Sequence, residues 1–302
     1  MPETLESVLA QIPGWANRTD LLIEPLGGLT NRNYLVTAGR EKFVLRIGRE
    51  NAGRLGIDRR VEFTAMQAAY RIGIGPELAH FFFPMGHMVT RFIPGRCWPV
   101  DEYRQPATLK RVAATVKRVH SLPAIQGIFS PFERVESYAG QVRKAGIPLP
   151  ADFGTLLGSM HAIQKRQQMD VSPWWKMCHN DLYAVNLLDD GNVRILDWEF
   201  AGMGDIYYDL AELVYAYDTE GPLPAEQEEF LLKCYFDSVT DFQRQRLQDM
   251  KFMVNFFSAM WGLLHQVLVQ EGILPAVVGF DYLEFAEGIF GGPLTTLQKS
   301  VR

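Results

Sequence analysis

The sequence contains few cysteines, and they are far apart. Only three of its 302 residues are cysteine, at positions 97, 178 and 234. Their odd number and wide spacing argue against a disulfide framework and against a cysteine-based zinc site. Cysteines used in this way are typical of a reducing compartment, so we expect the protein to be cytoplasmic.

The sequence also lacks charged blocks and long apolar runs. No block of like charge reaches five residues, and 30 Lys and Arg against 35 Asp and Glu give a net charge of −5. A nucleic-acid or membrane-surface partner therefore finds no support. The longest uncharged run, 252–270, carries polar side chains from Asn255 to Gln270. We interpret this run as a buried helix rather than a membrane span.

Apolar and charged residues are both well represented. Apolar residues make up 47% of the chain, aromatic residues 12% and charged residues 22%. This balance can bury a sizeable core, and it excludes a disordered or fibrous chain.

The first 93 residues are strand-rich. Short apolar runs separated by turn residues predict strands, and Val61, Ala65, Ala68 and Ile72 recur at helical spacing. The predicted strands are 22–26, 33–37, 42–47, 78–83 and 87–93, and the predicted helix is 58–70.

Pro94-Gly95 ends the strand pattern and is a candidate hinge, after which the chain becomes mainly helical. One hairpin, with strands at 187–188 and 193–198, interrupts the helical part. The predicted fold class is α+β. A lobe of residues 1–93, with an antiparallel sheet and one helix, precedes a larger and mainly helical lobe of residues 94–302.

The residues with the clearest chemistry lie around that hairpin, in the segment CHNDLYAVNLL at 178–188. Asp181 and Asn186 are five residues apart, and Asp197 follows Asn186 by eleven. A hairpin brings Asn186 and Asp197 side by side, and such oxygen ligands suit Mg²⁺. Asp181 can accept the proton of an attacking hydroxyl, as phosphoryl transfer requires. Each residue alone could be an ordinary turn former, but the complete set favours function.

These motifs resemble those of a known family. HNDLYAVN followed by LDWE resembles the catalytic and metal-binding motifs of the choline kinase and aminoglycoside phosphotransferase superfamily. The resemblance covers nearly the whole chain, because LGGLTNRNYLV at 26–36 is similar to a phosphate loop and KFVLRIG at 42–48 to the third strand. The tail at 261–287 is more similar to choline and ethanolamine kinases than to aminoglycoside kinases. The resemblance implies a protein-kinase-like two-lobed fold that uses ATP and Mg²⁺.

The resemblance also implies roles for individual residues. Asp181 is the expected catalytic base. The expected nucleotide-binding residues are Gly28, Thr30, Asn31, Arg46, Glu62, Phe92 and Ile93, and the expected metal ligands are Asn186, Asp197 and Glu199.

Arg46 offers donors to phosphates and needs a carboxylate partner if it is buried, for which Glu62 is the candidate. A surface salt bridge is the alternative for this pair. The Gly27-Gly28 turn could instead be a plain hairpin turn. Asp209 is expected to hold the catalytic loop from beneath, with a helix N-terminal carboxylate as the alternative.

The resemblance also implies an aromatic and acidic pocket that binds a cationic head group. The expected acceptor-binding residues are Tyr183, Phe200, Glu212, Trp261 and Phe285. Two positions depart from the family pattern, since Leu264 replaces a second Trp and Ala216 replaces a pocket Glu. Glu212 lies one helical turn after Asp209 and could substitute for that Glu. The departures fit an amino alcohol other than choline, or a pocket built in another way.

Three functions are consistent with the sequence. The first is an ATP-dependent kinase of a small amino alcohol such as choline or ethanolamine. The sequence leaves the oligomeric state open. The second is a kinase of another hydroxyl compound, such as an aminoglycoside, thiamine or a sugar. The third, a non-catalytic nucleotide-binding protein, is disfavoured because Asp181, Asn186 and Asp197 are all present.

Overall fold

The chain forms two compact units. The computed structural model describes residues 4–27, 31–167, 173–217 and 221–301. The first unit comprises residues 1–98 and 185–200, and the second comprises residues 99–184 and 201–302. The predicted division after residue 93 lies shortly before the observed boundary at Trp98. The structure also assigns the segment Val185–Phe200 to the first unit. A division of the chain at a single position cannot describe this arrangement.

A five-stranded antiparallel sheet forms the centre of the first unit. Its strands are β1 (Leu21–Gly27), β2 (Arg32–Ala38), β3 (Glu41–Ile47), β4 (Leu78–Phe82) and β5 (His87–Arg91). They lie in the order β1-β2-β3-β5-β4, which confirms all five predicted strands. In β3 the alternate residues Phe43, Leu45 and Ile47 are buried, as expected for a strand with one face on a core.

Two helices accompany this sheet. Helix α1 (Leu5–Leu9) places Val8 in the same apolar cluster as Leu45. Helix α2 (Arg59–Arg71) begins after Asp58, whose carboxylate accepts the N–H groups of Arg60 and Val61. This N-cap explains why the helix begins one residue later than predicted.

The hairpin predicted near residue 190 also belongs to the first unit. Strand β7 (Leu187–Asp189) pairs with β8 (Val193–Ile195), which confirms the prediction. Asp189 exchanges backbone hydrogen bonds with Arg96, and the N–H of Ile195 donates to the carbonyl of Ile74 at 3.1 Å. These hydrogen bonds attach the hairpin to the segments that follow β5 and α2.

The second unit is mainly helical, as predicted. Its helices are α3 (Val100–Tyr103), α4 (Pro106–Val119), α5 (Pro131–Lys144), α6 (Phe153–Gln167), α7 (Ile206–Val214), α8 (Ala225–Tyr235), α9 (Asp241–Gln270), α10 (Tyr282–Ile289) and α11 (Thr295–Val301). A two-stranded sheet of β6 (Trp175–Cys178) and β9 (Gly202–Asp205) was not predicted. The α+β fold class, with an antiparallel N-terminal sheet and a larger helical part, is confirmed.

Helix α9 is the central helix of the second unit. It has a capping box at its start, formed by Thr240 and Gln243. In the described part of the chain it is the one helix long and apolar enough to cross a membrane, but 78% of its apolar window is buried within the fold. The uncharged run 252–270 is therefore a core helix segment, as predicted.

Gly48 lets the turn between β4 and β5 approach the end of β3. A Cβ atom at Gly48 would lie 2.0 Å from the carbonyl oxygen of Met85 and 2.9 Å from the carbonyl carbon of Gly86. The N–H of Gly48 also donates to Nδ1 of His87 at 3.0 Å. A side chain at this position would push two backbone segments apart.

We therefore expect Gly48→Ala to lower the free energy of unfolding by about 1–3 kcal/mol, the usual effect of overpacking. Gly53→Ala is the matched control, because a Cβ there meets no atom within 4 Å, and its effect should stay within about 0.5 kcal/mol. Urea unfolding of both variants measures the difference. Equal stability of the two variants would show that the turn adjusts freely.

Candidate active site

The first unit contains a buried cluster of two arginines and three carboxylates. Arg46 on β3 is 2% exposed, and its guanidinium lies 2.5 Å from Glu62 on α2 and 3.1 Å from Asp197 after β8. Its second terminal nitrogen also donates to the carbonyl of Gly86 at 3.3 Å. The predicted partnership of Arg46 and Glu62 is confirmed, and the pair is buried rather than on the surface.

Arg59 is the second arginine of the cluster, and the sequence analysis missed it. Its guanidinium contacts Glu62 at 2.7 Å and Glu199 at 3.2 Å. Glu199 also accepts a hydrogen bond at 3.2 Å from the side-chain amide of Asn31. Arg59 precedes Glu62 by one helical turn, so the spacing of the two residues on one helix face was the available signal.

The charges of the cluster nearly balance. Burial alone would lower the pKa of Arg46, but the carboxylates of Glu62, Asp197 and Glu199 raise it, so the guanidinium stays charged. Burial, together with the charge of Glu199, raises the pKa of Asp197 to about 7. The Asp197 side chain is 34% exposed and is the most accessible carboxylate of the three.

The donor set of this cluster fits a divalent cation such as Mg²⁺. Carboxylate oxygens of Glu62, Asp197 and Glu199 lie within 4.8 Å of one another, and hard cations prefer such oxygen ligands. The N–H of Leu196 donates to the carbonyl of Asn186 at 2.9 Å. The hairpin thus places Asn186 beside the segment that carries Asp197, as the sequence analysis expected.

The expected nucleotide-binding residues of the first unit are described in part. Gly28 and Thr30 lie outside the described residues. Asn31 is buried, with its amide directed to Glu199. Phe92 and Ile93 follow β5 and are half-buried, and the N–H of Phe92 continues the ladder by donating to the carbonyl of Lys42 at 3.0 Å. Their predicted contacts with a nucleotide stay predictions.

The loop that carries Asp181 belongs to the second unit. Asp181 is half-buried, and the residue before it, Asn180, has a left-handed φ of 63°. The carboxylate of Asp209 on α7 accepts the N–H groups of His179 at 2.9 Å and Asn180 at 2.7 Å. The expectation that Asp209 holds this loop from beneath is therefore confirmed. Left-handed residues other than glycine are strained and concentrate at functional sites.

A buried histidine and a tyrosine support Asp209. His120 Nε2 lies 2.8 Å from the Asp209 carboxylate, and His120 Nδ1 lies 2.7 Å from the hydroxyl of Tyr235. Both ring nitrogens therefore have hydrogen-bond partners, which fixes the orientation of the imidazole ring. His120 and Tyr235 were not predicted, because no local pattern distinguishes them from ordinary helix residues.

Trp261 lies in an aromatic cluster formed by α9 and α10. Its indole is half-buried and contacts the ring of His265, with centroids 3.9 Å apart and planes tilted by 36°. It lies 6.1 Å from Phe285 in an edge-to-face arrangement. Tyr282 packs against both Trp261 and His265. The structure thus brings Trp261 and Phe285 together, and it adds His265 and Tyr282, which were not predicted.

Gly262 makes this arrangement possible. A Cβ atom there would lie 3.0 Å from the Phe285 ring and 3.1 Å from the carbonyl of Tyr282. Helix α10 can therefore approach α9 closely at the residue next to Trp261.

The other expected acceptor residues lie in different surroundings. The hydroxyl of Tyr183 lies 2.9 Å from that of Ser258 on α9. Glu212 is only 1% exposed, and Phe200 is a buried residue of the first unit. Leu264, at the position of the missing Trp, is fully buried. Their contacts with an acceptor stay predictions.

Comparison with known proteins agrees with these features. The chain matches the family model for choline/ethanolamine kinase over residues 23–290. It is 27% identical to Protein LicA of Haemophilus influenzae over 248 residues, which is 78% of this chain and 71% of LicA. A choline/ethanolamine kinase family protein from Mesorhizobium loti has 26% identity and a TM-score of 0.74, with 98% of this chain and 97% of that chain covered.

The choline kinase LicA from Streptococcus pneumoniae has 21% identity and a TM-score of 0.77, with 93% of this chain and 95% of that chain covered. The fold and the site thus define a kinase-like phosphotransferase that acts on small molecules and binds a nucleotide. Within that class, the chain belongs to the choline/ethanolamine kinase family.

Loss of Arg46 should leave the buried carboxylates without sufficient positive charge. We expect Arg46→Met to lower the free energy of unfolding by about 3–5 kcal/mol, because breaking a buried ion pair leaves an uncompensated charge. The neighbouring Arg60 is exposed, so Arg60→Met is the matched control and should change stability by less than about 0.5 kcal/mol.

The effect should also depend on pH. Arg46 lowers the pKa of Asp197 against the effect of burial, so its loss should raise that pKa further, and the folded variant should bind more protons than the wild type above neutral pH. The deficit of Arg46→Met should therefore shrink as the pH falls from 9 to 7, towards the wild-type pKa of Asp197 of about 7. Urea unfolding at both pH values measures it, and a deficit that is the same as in Arg60→Met would contradict a structural role for the cluster.

Proposed function

We propose that the protein transfers the γ-phosphate of ATP to the hydroxyl group of a small amino alcohol, with Asp181 as the general base. The observation that supports this proposal best is the catalytic loop, in which the half-buried Asp181 follows two residues whose backbone N–H groups are held by Asp209. Such a preorganised carboxylate suits proton transfer. Membership of the choline/ethanolamine kinase family supports the class of acceptor.

In this proposal the carboxylate of Asp181 takes the proton of the acceptor hydroxyl. The hydroxyl oxygen then forms a bond to the γ-phosphorus of ATP, and the bond from that phosphorus to the bridging oxygen of ADP breaks. Asn186, Asp197 and Glu199 would hold Mg²⁺, which neutralises charge on the phosphates. Arg46 would donate to the phosphate oxygens.

A reducing, cytoplasmic location is part of the proposal. It is supported by the free thiols of all three cysteines.

The aromatic cluster of α9 and α10 supports a cationic acceptor. An ammonium group is attracted to the face of an aromatic ring, and Trp offers the strongest attraction. His265 covers one face of the Trp261 indole at a centroid distance of 3.9 Å. The ammonium group would therefore use the opposite face, with the ring of Phe285 at its edge.

A screen of hydroxyl acceptors tests the proposal. ADP release is measured with ethanolamine, choline, aminopropanol, thiamine, sugars and an aminoglycoside, and the fastest turnover is expected with a small amino alcohol. Asp181→Asn should lower kcat by about 10²–10⁴-fold, the usual contribution of a general base, while ATP binding is retained. Asp101→Asn, at an exposed helix position, is the control. A preference for an aminoglycoside, or more than a tenth of the rate in Asp181→Asn, would refute the assignment.

Trp261→Leu tests the acceptor pocket. Loss of a cation–π contact of about 0.5–2 kcal/mol should raise the KM for the amino alcohol by roughly 2- to 30-fold. The KM for ATP should hardly change, because the residues assigned to the nucleotide belong to the first unit. Phe242 is exposed on the same helix, so Phe242→Leu is the control. A lower melting temperature with an unchanged acceptor KM would show that Trp261 is only a core residue.

A further inference from the structure

The segment from α7 to Ala216 holds the backbone of the catalytic loop at several points. In addition to the two hydrogen bonds accepted by Asp209, the carboxylate of Glu212 accepts the N–H of Leu182 at 2.9 Å. The carbonyl of Ala216 accepts the N–H of Ala184, also at 2.9 Å. The loop is therefore fixed both before and after Asp181.

Asp209 and Glu212 can share this task because residues three apart lie on one face of a helix. Asp209 binds the backbone that precedes Asp181, and Glu212 binds the backbone that directly follows it. The carboxylate of Asp181 thus projects from a backbone held on both sides. Asn180 has a left-handed φ of 63°, which costs free energy in a residue other than glycine, and these hydrogen bonds help to hold it.

Glu212 is buried deeply and has little compensation for a negative charge. It is 1% exposed, and no Lys or Arg pairs with it in the described part of the chain. Burial, and then the charges of Asp209 and Asp181, hold the pKa of Glu212 well above its usual range. One carboxyl oxygen of Glu212 accepts the N–H of Leu182, and the amide oxygen of a glutamine could do the same.

Two further titratable groups near Glu212, Tyr208 and Cys178, do not supply a positive charge. Tyr208 lies one turn earlier on α7, and burial and the charge of Glu212 raise the pKa of its phenol well above its ordinary value. Cys178 at the end of β6 is a buried thiol whose pKa is raised by burial and by the charges of Asp209, Asp205 and Glu212.

We propose that Glu212 is a positioning residue for the reaction, which fixes the backbone after Asp181 and so sets the direction of the Asp181 carboxylate towards the acceptor hydroxyl. This role rests on the proposed function, because it assumes that Asp181 is the base. It differs from the acceptor-binding role expected from the sequence, since a side chain that is 1% exposed and bound to Leu182 acts through the loop.

Three substitutions of Glu212 separate the two roles. Glu212→Gln keeps an oxygen acceptor of the same reach for the N–H of Leu182, so kcat, the acceptor KM and the pH profile of kcat/KM should all stay within about threefold of wild type. Glu212→Leu removes the hydrogen bond, and kcat should fall by roughly 10- to 100-fold with little change in the acceptor KM, as expected for a misplaced catalytic group. If Glu212→Leu does not fold, Glu212→Asp is used, because its shorter side chain cannot reach Leu182.

Hydrogen exchange gives a measurement that does not depend on activity. In Glu212→Leu or Glu212→Asp the amide of Leu182 should exchange faster, whereas the amides of His179 and Asn180 stay protected by Asp209. Glu226 is exposed on α8, and Glu226→Leu is the control for both measurements.

The outcomes are distinguishable from a failure of the proposed function. If Asp181→Asn keeps its rate, the base assignment fails whatever Glu212 does. If Asp181→Asn is inactive but Glu212→Leu or Glu212→Asp has the wild-type kcat, the positioning role alone is refuted. A Glu212→Gln variant whose KM rises more than tenfold for the cationic alcohol, at unchanged kcat, would also overturn it in favour of direct acceptor binding.

Discussion

Buried carboxylates determine the arrangement of the functional residues in both units. A carboxylate taken out of water is stable only if donors or cations surround it or if it takes up a proton. In the first unit two guanidiniums, from Arg46 and Arg59, supply that compensation to three carboxylates. In the second unit Asp209 obtains it from His120 and from two backbone N–H groups. Because each buried carboxylate needs these donors or cations, the chain segments that carry them are held in place around it.

The two solutions have different consequences for chemistry. Asp197 is 34% exposed, so its carboxylate is accessible from solvent, and burial and the charge of Glu199 raise its pKa against the lowering effect of Arg46 and Arg59. Backbone N–H groups instead hold Asp209 in a single arrangement, which suits a group that supports a catalytic loop. The first unit thus compensates its carboxylates with guanidiniums, and the second compensates Asp209 with backbone N–H groups and His120.

The sequence predicted those parts of the site that depend on local patterns. Asn186 and Asp197 could be placed together because the Asp189–Asn192 turn fixes the register of the hairpin, and the structure has that pairing. Glu62 could be paired with Arg46 once the helix and the third strand were recognised.

Other parts of the site depend on packing between distant segments. Arg59 was missed because Arg59 and Arg60 are adjacent, and only the packing of α2 on the sheet decides which one is buried. Glu212 was predicted to bind the acceptor in place of the missing pocket Glu. Its hydrogen bond to Leu182 joins residues 30 positions apart, which no local pattern reveals. Strands β6 and β9 have four residues each, and two of those in β9 are glycine, so neither has a readable periodicity.

The inclusion of Val185–Phe200 in the first unit has a consequence for how the protein is made. Synthesis proceeds from the N-terminus, so all five strands of the large sheet and Arg46 emerge long before Asp197 and Glu199 are added to the chain. Until then, two arginines that are buried in the finished protein have Glu62 as their one carboxylate partner from this cluster. The N-terminal sheet therefore reaches its final, charge-compensated state only after more than half of the polypeptide has left the ribosome, and the first unit cannot be obtained as a simple N-terminal fragment.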